Sequence, residues 1–410
     1  MDASYIILFL VLVYFFIFIR PLGFLHVATV YLVAHFLSSK HNTELYGFGQ
    51  SADDILLFGF IAICFGHIIF LLKKKNTLLI KKSDYRVSKT RLSSVVLIFA
   101  LVIIYHYAVG GIPLFSSNIL FDRFESNSSG FFGIPGRFNL FGGVFIFFLA
   151  YAAFTIKGKE YKNIFFITLI ILLISMLFKG SKGTLIHFLV AILICRSVIT
   201  QDTGVRNRGP SSKILIPLGA LIAISFVWIS NIHISTGVTR YTNLFDLLIT
   251  RVIEISGEGY FHAVTSFVNE NGFGFGGNSI NDMITFVSRL TGVGEQYYTL
   301  EKVSALSTGS TIGLHYIVPV ELNIFGYMYM ELGLAGVFLI GSLIGFSTGN
   351  IGFEILNCYS IKRITYLMYM QFFLFLLIIK GDLIFLIITM GISYLMFIII
   401  CKIFLSKINA

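Results

Sequence analysis

Residues 55–72 read ILLFGFIAICFGHIIFLL and run directly into residues 73–91, KKKNTLLIKKSDYRVSKTR. The first stretch carries no Asp, Glu, Lys or Arg and is about the length a helix needs to cross the hydrocarbon layer of a bilayer. The second holds Lys73, Lys74, Lys75, Lys81, Lys82, Arg86, Lys89 and Arg91 against a single acid, Asp84. Short basic loops stay on the cytoplasmic side of a membrane, so this pair reads as a span followed by an inside loop. Composition agrees along the whole chain. Of 410 residues 56% are apolar, 16% aromatic and only 12% charged, with six prolines. Soluble domains carry about twice that charge density. Neither a disordered chain nor a soluble globular domain fits, which leaves an all-α polytopic membrane protein.

Working outward, apolar runs of spanning length recur at about eleven places: 4–19, 21–39, 55–72, 92–109, 139–156, 163–178, 184–200, 213–230, 323–349, 364–380 and 383–401. The first lacks a basic region before it and a small-residue cleavage site after it, so it reads as a retained span. Alternating from the basic loop puts the N-terminus outside and the C-terminus inside. The inside loops then hold 20 Lys/Arg and 4 Asp/Glu, and the outside holds 10 and 16. The net charge of +10 is therefore a property of the cytoplasmic face and calls for no nucleic-acid partner. The chain divides into residues 1–230 with spans one to eight, a large outer segment 231–322, and residues 323–410 with spans nine to eleven.

Polar chemistry has two outer segments in which to sit. The minor one is 110–138, with Asp122, Arg123, Glu125 and Arg137; the major one is 231–322. Connections longer than about 15 residues are functional or disordered, and periodic elements in the long one favour a folded cap. Leu244, Leu247, Leu248, Val252 and Ile255 form one helical stripe over 243–256. Arg251, Glu254 and Glu258 follow one edge of it. Ser279 and Asp282 resemble a capping box before a second helix. The glycine-rich GFGFGG at 272–277 separates the two as a hinge and follows no strand, which argues against a nucleotide loop.

A third feature is Lys179-Gly180-Ser181-Lys182-Gly183, an outer turn in which glycines let backbone N–H groups approach an anion. With Arg123, Arg137, Arg240, Arg251 and Arg289, its lysines supply the outward cations suited to a phosphate-bearing headgroup. Salt bridges within the segment are the plainer role for part of this set. A general base would come from His315, His262, Glu254 and Glu258; His26, His35, His67 and His187 fall within spans and read as packing. Exposed Tyr241, Tyr260, Tyr297, Tyr298, Asn278 and Asn281 would suit a sugar. Cys64, Cys195, Cys358 and Cys401 have no paired spacing. Neither a zinc motif nor a GxSxG motif occurs, so no metal and no cofactor is expected.

In layout, and in the strings Gly110-Gly111-Ile112-Pro113-Leu114-Phe115 with Arg123, Gly180-Ser181-Lys182-Gly183, and Gly326-Tyr327 through Gly333-Leu334-Ala335-Gly336, the chain resembles the Wzy-type O-antigen and oligosaccharide repeat-unit polymerases. The resemblance implies a metal-independent, GT-C-like membrane glycosyltransferase of the bacterial inner membrane. It would join undecaprenyl-diphosphate-linked oligosaccharides on the periplasmic face, in lipopolysaccharide biosynthesis. A chain-length regulator and a flippase would be its partners, beside membrane lipid. By the same resemblance Arg123, Lys182, Arg240 and Arg251 correspond to outward cationic positions and His315 to a base position. The site expected is His315, Glu254 and Glu258 as catalytic groups, with Arg123, Arg137, Lys179, Lys182, Arg240, Arg251 and Arg289 binding diphosphate or glycan. An O-antigen ligase and a lipid-linked oligosaccharide flippase are the alternatives.

Overall fold

The computed structural model describes residues 3–18, 24–46, 52–73, 87–116, 122, 126, 134–180, 182–199, 220, 224–225, 227–231, 243, 258–291, 297–308, 322–357, 360–381 and 383–405. Among the described residues there are helices and no strand. The long helices are α1 (Ala3–Phe18), α2 (Phe24–Tyr46), α3 (Ala52–Lys73), α4 (Lys89–Gly110), α5 (Gly143–Lys157), α6 (Lys162–Phe178) and α7 (Lys182–Ile199). After them come α8 (Glu258–His262), α9 (Gly277–Thr291), α10 (Thr299–Thr308), α11 (Asn323–Asn357), α12 (Ile361–Lys380) and α13 (Leu383–Leu405). Every apolar run named above coincides with one of these except 213–230, most of which lies outside the described residues. Among the described residues five helical segments are long and apolar enough to cross a membrane: Ala52–Lys73, Lys89–Phe115, Lys159–Phe178, Asn323–Ile355 and Ile361–Lys380. A helix satisfies its own backbone, which is what a chain of this composition requires in lipid.

Two extents differ from expectation. Helix α2 continues past its apolar run to Tyr46, where Lys40 Nζ donates to Ser4 Oγ at 3.4 Å and lies over the Tyr5 ring. Helix α11 continues to Asn357 and is broken at Gly333, whose φ of 60° and ψ of −149° are not helical.

The chain forms two compact units. The first comprises Met1–Thr77, Phe245–Gly352 and Phe373–Ile388. Here α3 and the second half of α11 meet through glycine. A Cβ on Gly66 would stand 1.9 Å from the Ser342 carbonyl oxygen, and one on Gly345 would stand 2.0 Å from that of Ile63. Gly341 and Gly349 face Ala62 and Phe70 in the same way. Gly341, Gly345 and Gly349 recur every fourth residue and so share one face. Apolar side chains gain nothing in lipid from leaving it, so small residues that let two backbones approach are what hold membrane helices together. Phe338 closes one flank against Phe58 and Phe65, with ring centroids 6.0 and 5.3 Å apart. Two histidines of this unit act in packing, as His67 Nδ1 lies 3.0 Å from the Tyr14 hydroxyl and His26 Nε2 3.1 Å from the Phe15 carbonyl oxygen.

The second unit comprises Leu78–Leu244, Phe353–Phe372 and Thr389–Ala410. Its centre is α5, in which every residue from Gly143 to Thr155 is buried. A helix apolar on all sides must be enclosed. Phe147 packs against Phe165 and Phe188, and the Tyr151 hydroxyl donates to the Cys195 carbonyl at 2.7 Å.

Candidate functional site

Most of the described polar side chains outside the apolar helices gather where the segment 258–308 meets the start of α11. Glycine at 333 breaks that helix, and a helix end leaves carbonyls without intrahelical donors. The carbonyls of Met330 and Glu331 accept instead from Gly274 N–H and Phe275 N–H, both at 2.8 Å. The glycine-rich stretch 272–277 follows the short helix Val268–Asn271, runs into α9 and docks on the break; the 243–256 helix it was expected to separate lies outside the described residues apart from Asn243. Its backbone is tightly constrained: Phe275 has φ 49°, and a Cβ on Gly274 would fall 2.7 Å from Glu331 Oε2.

The Glu331 carboxylate turns back to the first turn of α9. Its Oε2 accepts Gly276 N–H at 2.8 Å, and its Oε1 accepts both the N–H and the hydroxyl of Ser279 at 2.6 Å. An anion at a helix N-terminus is favoured by the orphan donors and the macrodipole. The expected Ser279–Asp282 capping box is corrected here. Helix α9 begins at Gly277, Ser279 lies inside it, and the cap comes from a carboxylate on another helix. Asp282 points elsewhere. Its Oδ1 accepts Thr299 N–H at 2.7 Å and Thr299 Oγ1 at 2.8 Å, and its Oδ2 accepts the Tyr327 hydroxyl at 3.0 Å. Asp282, Thr299, Tyr327 and Glu331 are all buried. Both carboxylates are occupied by donors, so they fix the position of the layer and do not offer a free base.

Burial pushes the Asp282 carboxyl up from the ordinary carboxylate range, with hydrogen bonds from Thr299, Tyr327 and Asn281 pulling it partly back. The folded state therefore binds this proton more tightly than the unfolded chain. The stability it contributes is fully present below the unfolded value of about 3.9 and is lost as pH rises through the higher folded value. Asp282→Asn, which still accepts from Thr299 through its amide oxygen, is expected to flatten that decline. Thermal unfolding from pH 4 to pH 7 in detergent measures it, and an unchanged slope would contradict the assignment.

Helix α8 carries the groups best suited to proton transfer. Glu258 and His262 are one helical turn apart, an i, i+4 pair on one face, and both are half-buried. Burial raises the Glu258 carboxyl and lowers the His262 imidazole, moving both toward their neutral forms. His262 Nδ1 lies 3.2 Å from Ser266 Oγ across a π-helical turn, Ala263–Phe267, a feature frequent at functional sites. The Tyr260 hydroxyl donates to the Ala52 carbonyl at 2.7 Å and ties this face to the start of α3. Tyr260 is fully buried, which removes it from the expected sugar-facing aromatics; a ring turned inward to hold two helices together has no face to offer. Tyr297 and Tyr298 remain half-exposed, and Asn281 Nδ2 donates to the Tyr297 carbonyl at 3.0 Å.

In the second unit another polar group forms at the end of α4. The Tyr107 hydroxyl donates to the Ser175 carbonyl, Asn139 Nδ2 donates to Tyr107 Oη at 3.3 Å, and Ser175 Oγ donates to Asn139 Oδ1. A second π-helical turn, Phe138–Gly142, carries Asn139 there. Lys179 lies within electrostatic reach of His106 on α4. Arg137 ends the short helix Ile134–Arg137, which packs on α4, and Lys182 opens α7. Asp122, in the minor segment, accepts from Ser116 Oγ.

Of the other expected site residues, Arg289 lies in the last turn of α9. Arg123, Arg240, Arg251, Glu254 and His315 lie outside the described residues, as does nearly all of the 243–256 stripe. The residues that sequence reasoning did not bring forward are Tyr327, Thr299 and the Glu331 cap. A lone acid inside the apolar run 323–349 was their one visible signal.

This architecture defines a class: an all-helical, membrane-embedded protein with a helical layer docked on a broken apolar helix. No protein-family model, curated protein or solved structure matches the chain.

Proposed function

We propose that this protein is an O-antigen polymerase of the Wzy type. In this reading about eleven spans, N-terminus out and C-terminus in, cross a bacterial inner membrane, and the segment 231–322 faces the periplasm. It transfers the growing glycan from undecaprenyl diphosphate to the next lipid-linked repeat unit. The observation that carries the reading is the folded layer of residues 258–291 and 297–308, which holds a half-buried acid and imidazole on one helical face beside apolar helices. That arrangement suits a reaction at the headgroup level. Glu258 or His262 takes the acceptor hydroxyl's proton, while Arg251 and Arg289 neutralise the diphosphate leaving group.

Deleting the gene and running lipopolysaccharide on a gel tests the proposal. Core bearing a single repeat unit is the expected result. Free lipid-linked polymer would point to a ligase instead. One feature favours a third reading, a flippase: α11 is discontinuous at Gly333 with Glu331 beside the break, and transporters build their sites on broken helices. Accumulation of unpolymerised units on the cytoplasmic leaflet would support that reading and sink the polymerase. The engagement of both Glu331 oxygens in the α9 cap weighs against it.

Within the polymerase reading, Glu258→Gln at normal protein level is expected to cut the O-antigen ladder by about 10²–10⁴-fold, the usual worth of a general base. Full ladders from both Glu258→Gln and His262→Ala would remove α8 from the site. A full ladder from both Arg251→Ala and Arg251→Lys would likewise remove Arg251 from diphosphate binding.

A further inference from the structure

Helix α9 is amphipathic with its faces reversed. Asp282 and Thr285 are 1% and 0% exposed, whereas Ile280 and Val287 are 58% and 57% exposed. Met283 and Ile284 are exposed beside them, completing an i, i+3, i+4, i+7 stripe on one side of the helix. A helix lying on a protein in water turns its apolar side inward. In α9 the inward side is polar because Thr299, Tyr327 and Glu331 are there to satisfy it. Phe273 and Phe275 of the preceding loop are exposed as well, the latter at 78%.

The first turn of α9 is joined, through the Glu331 cap, to a second apolar surface. Phe273 lies over the helix break, where a Cβ on Gly333 would meet its ring at 3.3 Å, and packs edge-on to Tyr329 with centroids 5.5 Å apart. Leu332 and Leu334 flank that break and are exposed, as are Leu339 and Leu343 further along α11. Helix α11 is one of the segments long and apolar enough to cross a membrane, so its exposed leucines have lipid as their natural neighbour.

We infer that α9 is an interfacial membrane helix whose Ile280, Met283, Ile284 and Val287 face sinks into the acyl–headgroup boundary of the bilayer that α11 crosses. Such helices bury their apolar side roughly 5–10 Å below the headgroups. The buried Asp282 and the Glu331 cap hold the helix in that orientation. This conclusion is independent of the reaction the protein catalyses.

Trp228 is the sole tryptophan of the chain, which makes the test direct. The full-length protein carrying Trp228→Phe with Met283→Trp, or with Val287→Trp, is reconstituted in dioleoylphosphatidylcholine vesicles and in vesicles of its brominated analogue. Blue-shifted emission that loses most of its intensity in brominated lipid is the expected result for both. Emission at the aqueous maximum, or a shielded tryptophan that bromine does not quench, overturns the inference, the second by showing that protein covers the face. The unsubstituted chain provides a second measurement through photolabelling by a phosphatidylcholine with a diazirine near its acyl carbonyl. Adducts within 280–287 are expected; labelling of the α11 leucines without labelling of α9 overturns it. A cross-link joining α9 of two copies in its place also overturns it.

Discussion

Gly345→Leu is expected to abolish the folded protein. The Cβ alone would come within 2.0 Å of the Ile63 carbonyl oxygen, and the neighbouring contact at Gly66 is equally close, at 1.9 Å from the Ser342 oxygen. The obstacles are backbone atoms of a facing helix, so no rotamer change relieves them. Helices α3 and α11 would have to separate, losing the Phe58, Phe65 and Phe338 contacts along the flank. Overpacking a relaxed core costs about 1–3 kcal/mol, and a backbone obstacle takes the cost above that range. Gly345→Ala already places the clashing atom and is expected to lower the melting temperature markedly. Gly391→Ala is the control, because a Cβ there meets nothing within 4 Å. It should be neutral or slightly stabilising, since alanine is favoured over glycine in a helix by about 0.5–1 kcal/mol. Fluorescence-detected size exclusion and thermal unfolding in detergent measure all three. A monodisperse Gly345→Leu protein with an unchanged melting temperature would show that the helices are not in backbone contact.

Glu331→Ala is expected to detach the start of α9. The substitution strips Gly276 N–H and Ser279 N–H of their acceptor, while the Ser279 hydroxyl keeps the Tyr327 hydroxyl at 3.2 Å. An unsatisfied polar group costs about 1–3 kcal/mol when buried; the two amides are half-buried, so a loss of about 2 kcal/mol is expected. Glu331→Gln keeps one acceptor oxygen and should fall between the two. Amide hydrogen exchange separates this effect from general destabilisation. Exchange at Gly276 and Ser279 should accelerate strongly in Glu331→Ala while the α3–α11 contact keeps its protection. Equal protection at both amides would mean that the carboxylate does not cap the helix.

The interfacial reading of α9 connects these two results. A helix whose polar side is pinned by Glu331 and Asp282 presents its apolar side outward, so uncapping it should also loosen its hold on lipid. The same brominated-lipid measurement, made in a Glu331→Ala background, would then show weaker quenching.

Much of this was legible in order along the chain. An uncharged run such as 55–72 has few physical options: its apolar side chains need lipid or a buried interior, and its backbone groups must bond to one another. Helices therefore stand at every described run. Local reasoning was weaker where a partner comes from far away. Ser279 and Asp282 have the spacing of a capping box, yet a stronger acceptor from α11 takes the cap and leaves Asp282 to Thr299 and Tyr327. Tyr260 looked like a residue for sugar and is consumed by a contact with Ala52. Glu258 was identified from sequence as a candidate base, and its half-burial beside His262 became visible only with the helix folded.

Hydrophobicity, length and charge distribution act through the solvent and need no knowledge of neighbours, which is why the all-helical membrane character can be read from the amino acids in sequence. Whether a glycine is a spacer or a contact, whether an acid is a base or a cap, and which side of α9 faces out depend on groups dozens of residues distant. Those properties arise when α11 breaks at Gly333 and the 272–277 loop closes on it, because a hydrogen bond or a 2 Å approach exists only between atoms that folding has brought together.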